Sequence, residues 1–214
     1  MRSRFDEQLS LLKRELIEMG ALCERAIELV AKALETNNGN VYKEVQPISV
    51  EIDHKERDIE ARCLKLLLQQ QPVAKDLRKI SAALKMITDM ERIGDQAEDI
   101  AEIIGYLNGE NLNSSVPVQE MARAAIKMVT ESVDAYVSKD IALAEAILKE
   151  DDIIDEYFME SKRRLIKMVT DNPENGEYAL DLLMITKYFE RIGDHATNIA
   201  EWVIFSVTGE HEDA

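Results

Sequence analysis

Turn-forming and aromatic residues are scarce in this chain of 214 residues: 8 glycines, 4 prolines and an aromatic content of 5%. A β-sandwich or barrel needs many turns and strand-favouring rings, so both are excluded. Cysteine is limited to Cys23 and Cys63, each inside a helix-like pattern, which reads as small apolar core residues in a reducing compartment. Basic residues are outnumbered, with 26 Lys and Arg against 42 Asp and Glu and a net charge of −16. Such a surface repels a phosphate backbone, and no basic run offsets it, so a nucleic-acid binder is excluded. The purely apolar runs are short, as in Leu66–Leu68 and Trp202–Phe205, far below the ~20 residues that span a bilayer. The opening MRSRFDEQLS carries charges where a signal peptide needs apolar residues. A cytoplasmic protein is expected.

What is present is a repeat. Met90–Glu102 reads MERIGDQAEDIAE and Phe189–Glu201 reads FERIGDHATNIAE, identical at nine of thirteen positions and ninety-nine residues apart. Asp53 and Asp155 occupy corresponding places upstream, each before a long run that breaks at Gln71-Pro72 or at Asn172-Pro173. The halves are therefore 1–112 and 113–214, joined across Asn111–Ser115.

Apolar periodicity predicts three long helices in each half. Leu9, Leu12, Leu16, Met19, Cys23, Ala26, Val30 and Ala33 recur at alternating steps of three and four. A second helix is expected from about Ile48 to Leu68, with Pro47 near its first turn. The third carries Ala83, Ile87, Met90, Gly94, Ala97, Ala101 and Ile104 on one face. The second half repeats this order, with Leu182, Thr186, Phe189, Gly193, Ala196, Ala200 and Val203 on its last helix. The expected fold is all-α, two tandem, sequence-related three-helix bundles.

The chemistry lies in carboxylates. Glu91 and Asp95, and again Glu190 and Asp194, are four residues apart, so each pair projects from one side of a helix. If the second and third helices are antiparallel, Asp53 lies nineteen residues before Pro72 and Glu91 nineteen after, which makes them face one another. The same arithmetic sets Asp151 and Asp155 opposite Glu190 and Asp194. Oxygen donors so gathered suit a hard metal ion, whether Mg²⁺, Mn²⁺, iron or Ca²⁺. In a chain this acidic most carboxylates simply form a solvated face, and recurrence in both halves is what raises these above it. The second half offers four carboxylates, whereas Ser49 replaces the counterpart of Asp151, so the second half is expected to hold metal more firmly. Gly94 and Gly193 point to close helix approach, since a mid-helix glycine costs about 1 kcal/mol relative to alanine.

Other constellations carry less. Glu51 and His54 make a single Glu-x-x-His, where di-iron carboxylate bundles need one on each of two helices. His195 follows Glu190 by five residues, off that spacing. Trp202 reads as a bundle-end core residue and Lys162-Arg163-Arg164 as a solvated basic patch. No catalytic nucleophile arrangement or phosphate loop occurs, so no enzyme is expected. The competing classes are a carboxylate-bridged di-metal enzyme and a direct phosphate sensor working through bound metal.

The doubled ERIGD-x-A-x-x-I-A motif, preceded by Gln71-Pro72-Val73-Ala74-Lys75-Asp76-Leu77-Arg78, resembles the PhoU family of bacterial phosphate-transport accessory proteins along essentially the whole chain. The resemblance implies two three-helix bundles and metal bound by Asp53, Glu91 and Asp95 and by Asp151, Asp155, Glu190 and Asp194. The ion would be divalent or trivalent: Fe, Zn, Mn or Mg. It further implies a cytoplasmic regulator, peripheral to the membrane, that restrains phosphate-starvation gene expression. The implied partners are the phosphate ABC transporter ATPase and the phosphate-sensing histidine kinase, with a homodimer as the assembly. Asn198 stands where the first half has Asp99, so the two sites are not expected to be equivalent.

Overall fold

Helices account for all the regular structure in a computed structural model that describes residues 2–70, 73–107 and 116–210; no strand occurs among them. They are α1 (Arg2–Thr36), α2 (Tyr42–Gln70), α3 (Ala74–Tyr106), α4 (Val118–Ser138), α5 (Ile141–Asp171) and α6 (Gly176–Thr208). The junction expected at Asn111–Ser115 and the break at Gln71-Pro72 lie outside the described residues.

The heptad seam of α1 is buried from Leu12 to Ala33, with Leu9 packed at its margin. The faces read for α3 and α6 are buried throughout, Gly94, Gly193 and Thr186 included. Cys23 and Cys63 are interior thiols, and burial pushes both up to about 12, so neither is a reactive thiolate at neutral pH. Trp202 packs edge-on against Phe205 at the margin of the core, its ring centroid 5.6 Å away.

One boundary differs. Helix α2 begins at Tyr42, about a turn and a half before the expected start, and takes Pro47 into its body. Proline there gives up one backbone hydrogen bond on an exposed face. Val41, Val45 and Ile48 are buried, and docking that first stretch on the core outweighs the lost bond.

Helices α1–α3 form one three-helix bundle and α4–α6 the other. The bundles share a continuous hydrophobic core, because α3 packs along α6 and α1 along α4. The two copies of the repeated motif therefore face each other at the centre. Across that seam Asp89 Oδ1 accepts from Asn198 Nδ2 at 3.0 Å and lies 2.9 Å from His195 Nδ1. Tyr188, ninety-nine residues after Asp89, lies by Asp99, ninety-nine before Asn198, and the two influence each other's titration. The repeat thus pairs with itself reciprocally.

Candidate metal centre

Gly94 lies where α2 and α3 pack side by side, directly against Ile52. A Cβ at that position would lie 2.9 Å from Ile52 Cδ1 and 3.3 Å from its Cγ2, so a larger residue requires Ile52 or the helices to shift. The second half preserves the device, with Gly193 against Ile154 Cδ1 at 3.1 Å. Each contact sits next to the carboxylates: Ile52 precedes Asp53 and Gly94 precedes Asp95.

In the first half the acids converge. Asp53 on α2 and Glu91 and Asp95 on α3 each offer an oxygen, all within 4.8 Å of one another. All three are half-buried, with side-chain exposures of 36%, 29% and 38%. Burial raises the pKa of Glu91, and Asp95, Asp53 and Glu56 add repulsion that Arg92 partly relieves. Burial also raises Asp95; Arg92 counters this, while Asp53, Asp99 and Glu98 reinforce it. Arg92 lies 3.4 Å from Glu91 and 3.3 Å from Asp95, and Arg57 lies 3.9 Å from Asp53, all of them largely exposed pairs worth little. Three carboxylates drawn together against their own repulsion are a donor set for a hard cation.

In the second half the four acids gather less tightly. Asp151 is half-buried, its Oδ1 lying 3.2 Å from where a Cβ on Gly193 would sit. Asp155 and Asp194 are exposed, and Glu190 is held in an ion pair by Lys187. Among the described residues, no three of these acids meet within 4.8 Å of one another, as Asp53, Glu91 and Asp95 do in the first half. One difference beside the acids is that Thr88 occupies in the first half the position that Lys187 holds in the second. Thr88 hydrogen-bonds Leu84 O on its own helix, and Glu91 lies with Asp53 and Asp95. Glu51 and His54 are both exposed and stand outside the carboxylate group, so no inward-facing Glu-x-x-His forms.

Burial, then Asp194, Asp155, Glu190 and Asp152, pushes Asp151 up to about 6 from the ordinary 3.8. A raised carboxylate costs nothing below pH ~4, where it is protonated folded or unfolded; the cost grows up to pH ~6 and is full above it. The shift corresponds to about 3 kcal/mol, reduced by partial solvent exposure to roughly 1–2 kcal/mol. In chelator-treated protein, Asp151→Asn should therefore raise stability by that amount at pH 7.5 and leave it unchanged at pH 4. Urea melts at the two pH values check it; an equal gain at both would remove the electrostatic cause.

Two related three-helix bundles, each presenting a Glu-x-x-x-Asp pair from its last helix, define a duplicated all-α protein with carboxylate sites. A family model described as the PhoU domain matches residues 16–104 and again 118–203. This chain belongs to the PhoU family. It is 34% identical over 214 residues to a protein of Clostridium acetobutylicum named phosphate-specific transport system accessory protein PhoU homolog, covering 99% of this chain and 98% of that one. Among solved structures it resembles PhoU from Pseudomonas aeruginosa, with a TM-score of 0.89, 32% identity and coverage of 96% and 100%. The phosphate transport system regulatory protein PhoU from Streptococcus pneumoniae is similar at a TM-score of 0.88 and 25% identity, over 98% and 100% of the two chains.

Proposed function

We propose that this chain is a metal-binding, non-enzymatic regulator of phosphate uptake that works by protein contact. The convergence of Asp53, Glu91 and Asp95 carries the metal part of the reading. These residues would hold the ion, with Asp151, Asp155, Glu190 and Asp194 as a second, weaker position. A bound cation supplies positive charge that offsets their repulsion and ties α2 to α3. The chain's own contribution is the fixed helix spacing at Gly94 and Ile52, which keeps the three carboxylates at that distance.

The regulatory part rests on the relatives, named as accessory and regulatory proteins of phosphate transport. No helix among the described residues is long and apolar enough to cross a membrane, which suits a peripheral role. An apolar groove of about 420 Å³ near the α5–α6 turn supports contact. It is lined by Leu165, Ile166, Val169 and Leu180, with Ile166 60% and Leu180 64% exposed. Apolar side chains grouped in this way mark interaction surfaces. The partners are the phosphate ABC transporter ATPase and the phosphate-sensing histidine kinase, met in the cytoplasm by a homodimer to restrain phosphate-starvation genes.

Affinity capture of these two partners by wild-type protein and by the Ile166→Asp, Leu180→Asp double variant tests the reading. Capture should fall at least tenfold in the variant, since about 1.4 kcal/mol lost at a contact suffices for that. Failure of the wild type to capture either partner, with and without metal, would contradict it.

A further inference from the structure

We propose that a basic cavity at the end of the molecule where α3 begins and α4 and α6 finish binds a small phosphate-class oxyanion. This goes beyond the regulatory reading and does not depend on it. The cavity, of about 200 Å³, is lined by Lys13, Lys75, Arg78, Lys79 and Lys139, together with Tyr136, Ser206 and Val207, and among the described residues no carboxylate lines it. It lies 13 residues from Glu91 along α3, about 20 Å from the acidic cluster.

Five cations around one cavity are unexpected in a chain whose acids outnumber its bases 42 to 26. Only Lys79 has a carboxylate partner, Asp76 at 2.9 Å; among the described residues the other four form no ion pair. Lys13 donates to Val137 O at 3.2 Å and Arg78 to Thr208 O at 3.4 Å, which caps the carboxyl ends of α4 and α6. Capping uses one donor of each and leaves Lys75 and Lys139 without any such task.

Four further observations bear on a ligand. Arg78 Nε is buried and has no hydrogen-bond partner among the described residues, although a guanidinium presents several donors suited to oxyanions. The Arg78 side chain lies directly on Gly209, where a Cβ would come within 2.0 Å of Nη1 and where φ is +84°. The αL backbone and absent side chain of Gly209 thus make room for the guanidinium. Lys139, at φ 60°, closes α4 in a left-handed conformation uncommon for lysine. Burial, and then Lys139 and Lys79, lower the pKa of Lys13, so the cations repel one another as they stand. An anion among them would relieve that repulsion. The volume is below the ~300–1,000 Å³ of drug-sized pockets, which favours a phosphate or diphosphate group over a whole nucleotide.

Calorimetry on chelator-treated full-length protein at low ionic strength tests the proposal, with inorganic phosphate, pyrophosphate and phosphatidylglycerol vesicles as separate probes. Saturable binding is expected, weakened roughly tenfold or more by Arg78→Gln and by Lys139→Asn, and unchanged by Asp95→Asn. Lys139 is exposed and asparagine tolerates its backbone conformation, so the second variant keeps the fold even if the first does not. Response to phosphate or pyrophosphate identifies a free anion, and response to vesicles alone, with the same variant losses, identifies a lipid headgroup. No saturable binding to any probe overturns the site. So does binding that needs metal, or that Lys139→Asn leaves intact.

Discussion

Asp95→Ala is expected to abolish most of the stabilisation that divalent metal confers on this protein, whereas Asp194→Ala should leave most of it in place. A ligand that binds only the folded state at one hundred times its dissociation constant adds about 2.7 kcal/mol. Removing one of three converging carboxylates should cut that gain to below about 1 kcal/mol at the same metal concentration. In chelator the sign reverses. The raised pKa values of Glu91 and Asp95 mean that the ionised pair costs stability at neutral pH, so metal-free Asp95→Ala should be no less stable than wild type. Asp194 is exposed, and Glu190 beside it is held by Lys187, so its loss touches a looser group. Thermal melts of the three proteins with manganese or zinc and with chelator check all of this. Equal loss from both variants would remove the distinction between the halves.

The second large effect is structural and reaches the same site. Gly94→Val places a branched side chain where even a Cβ would stand 2.9 Å from Ile52 Cδ1 and 3.6 Å from Ile52 Cβ. Ile52 is fully buried and its Cγ2 is also within 3.3 Å, so a rotamer change of the terminal methyl alone gives too little room. Overpacking of this kind costs about 1–3 kcal/mol, against which valine recovers only a few tenths in helix propensity. Because Asp53 and Asp95 adjoin the clashing residues, separation of α2 from α3 should also weaken metal binding. Adding Ile52→Ala should restore part of the stability through a favourable coupling of about 1 kcal/mol or more. Strictly additive losses in the double variant would show that the close approach does not set the helix spacing.

Much of the fold was legible because long helices announce themselves by periodicity. The buried faces of α1, α3 and α6 follow the spacing residue by residue, and the repeat showed that the pattern occurs twice. The start of α2 was misplaced because proline is a stronger local signal than the buried Val41 and Val45, whose value comes only from tertiary packing. Equidistance from the turn correctly set Asp53 opposite Glu91. The ranking of the two halves counted carboxylates and left out the cation among them, Lys187, where the first half has Thr88.

The central seam was legible in principle. Asp89, Gln96 and Asp99 differ from Tyr188, His195 and Asn198 within similar segments, and Asp89 meets His195 and Asn198 between α3 and α6 through such differences. His195 looked idle only because its partner belongs to the other repeat. The basic cavity was only partly legible: Lys75, Arg78 and Lys79 are close along α3, but Lys13 on α1 and Lys139 at the end of α4 join them only through the fold.

The most direct test of the account is anomalous diffraction from crystals grown with manganese or zinc. The account predicts a metal peak bounded by Asp53, Glu91 and Asp95, at higher occupancy than any peak in the second half. A peak only among Asp151, Asp155, Glu190 and Asp194, or none at either place, would contradict it.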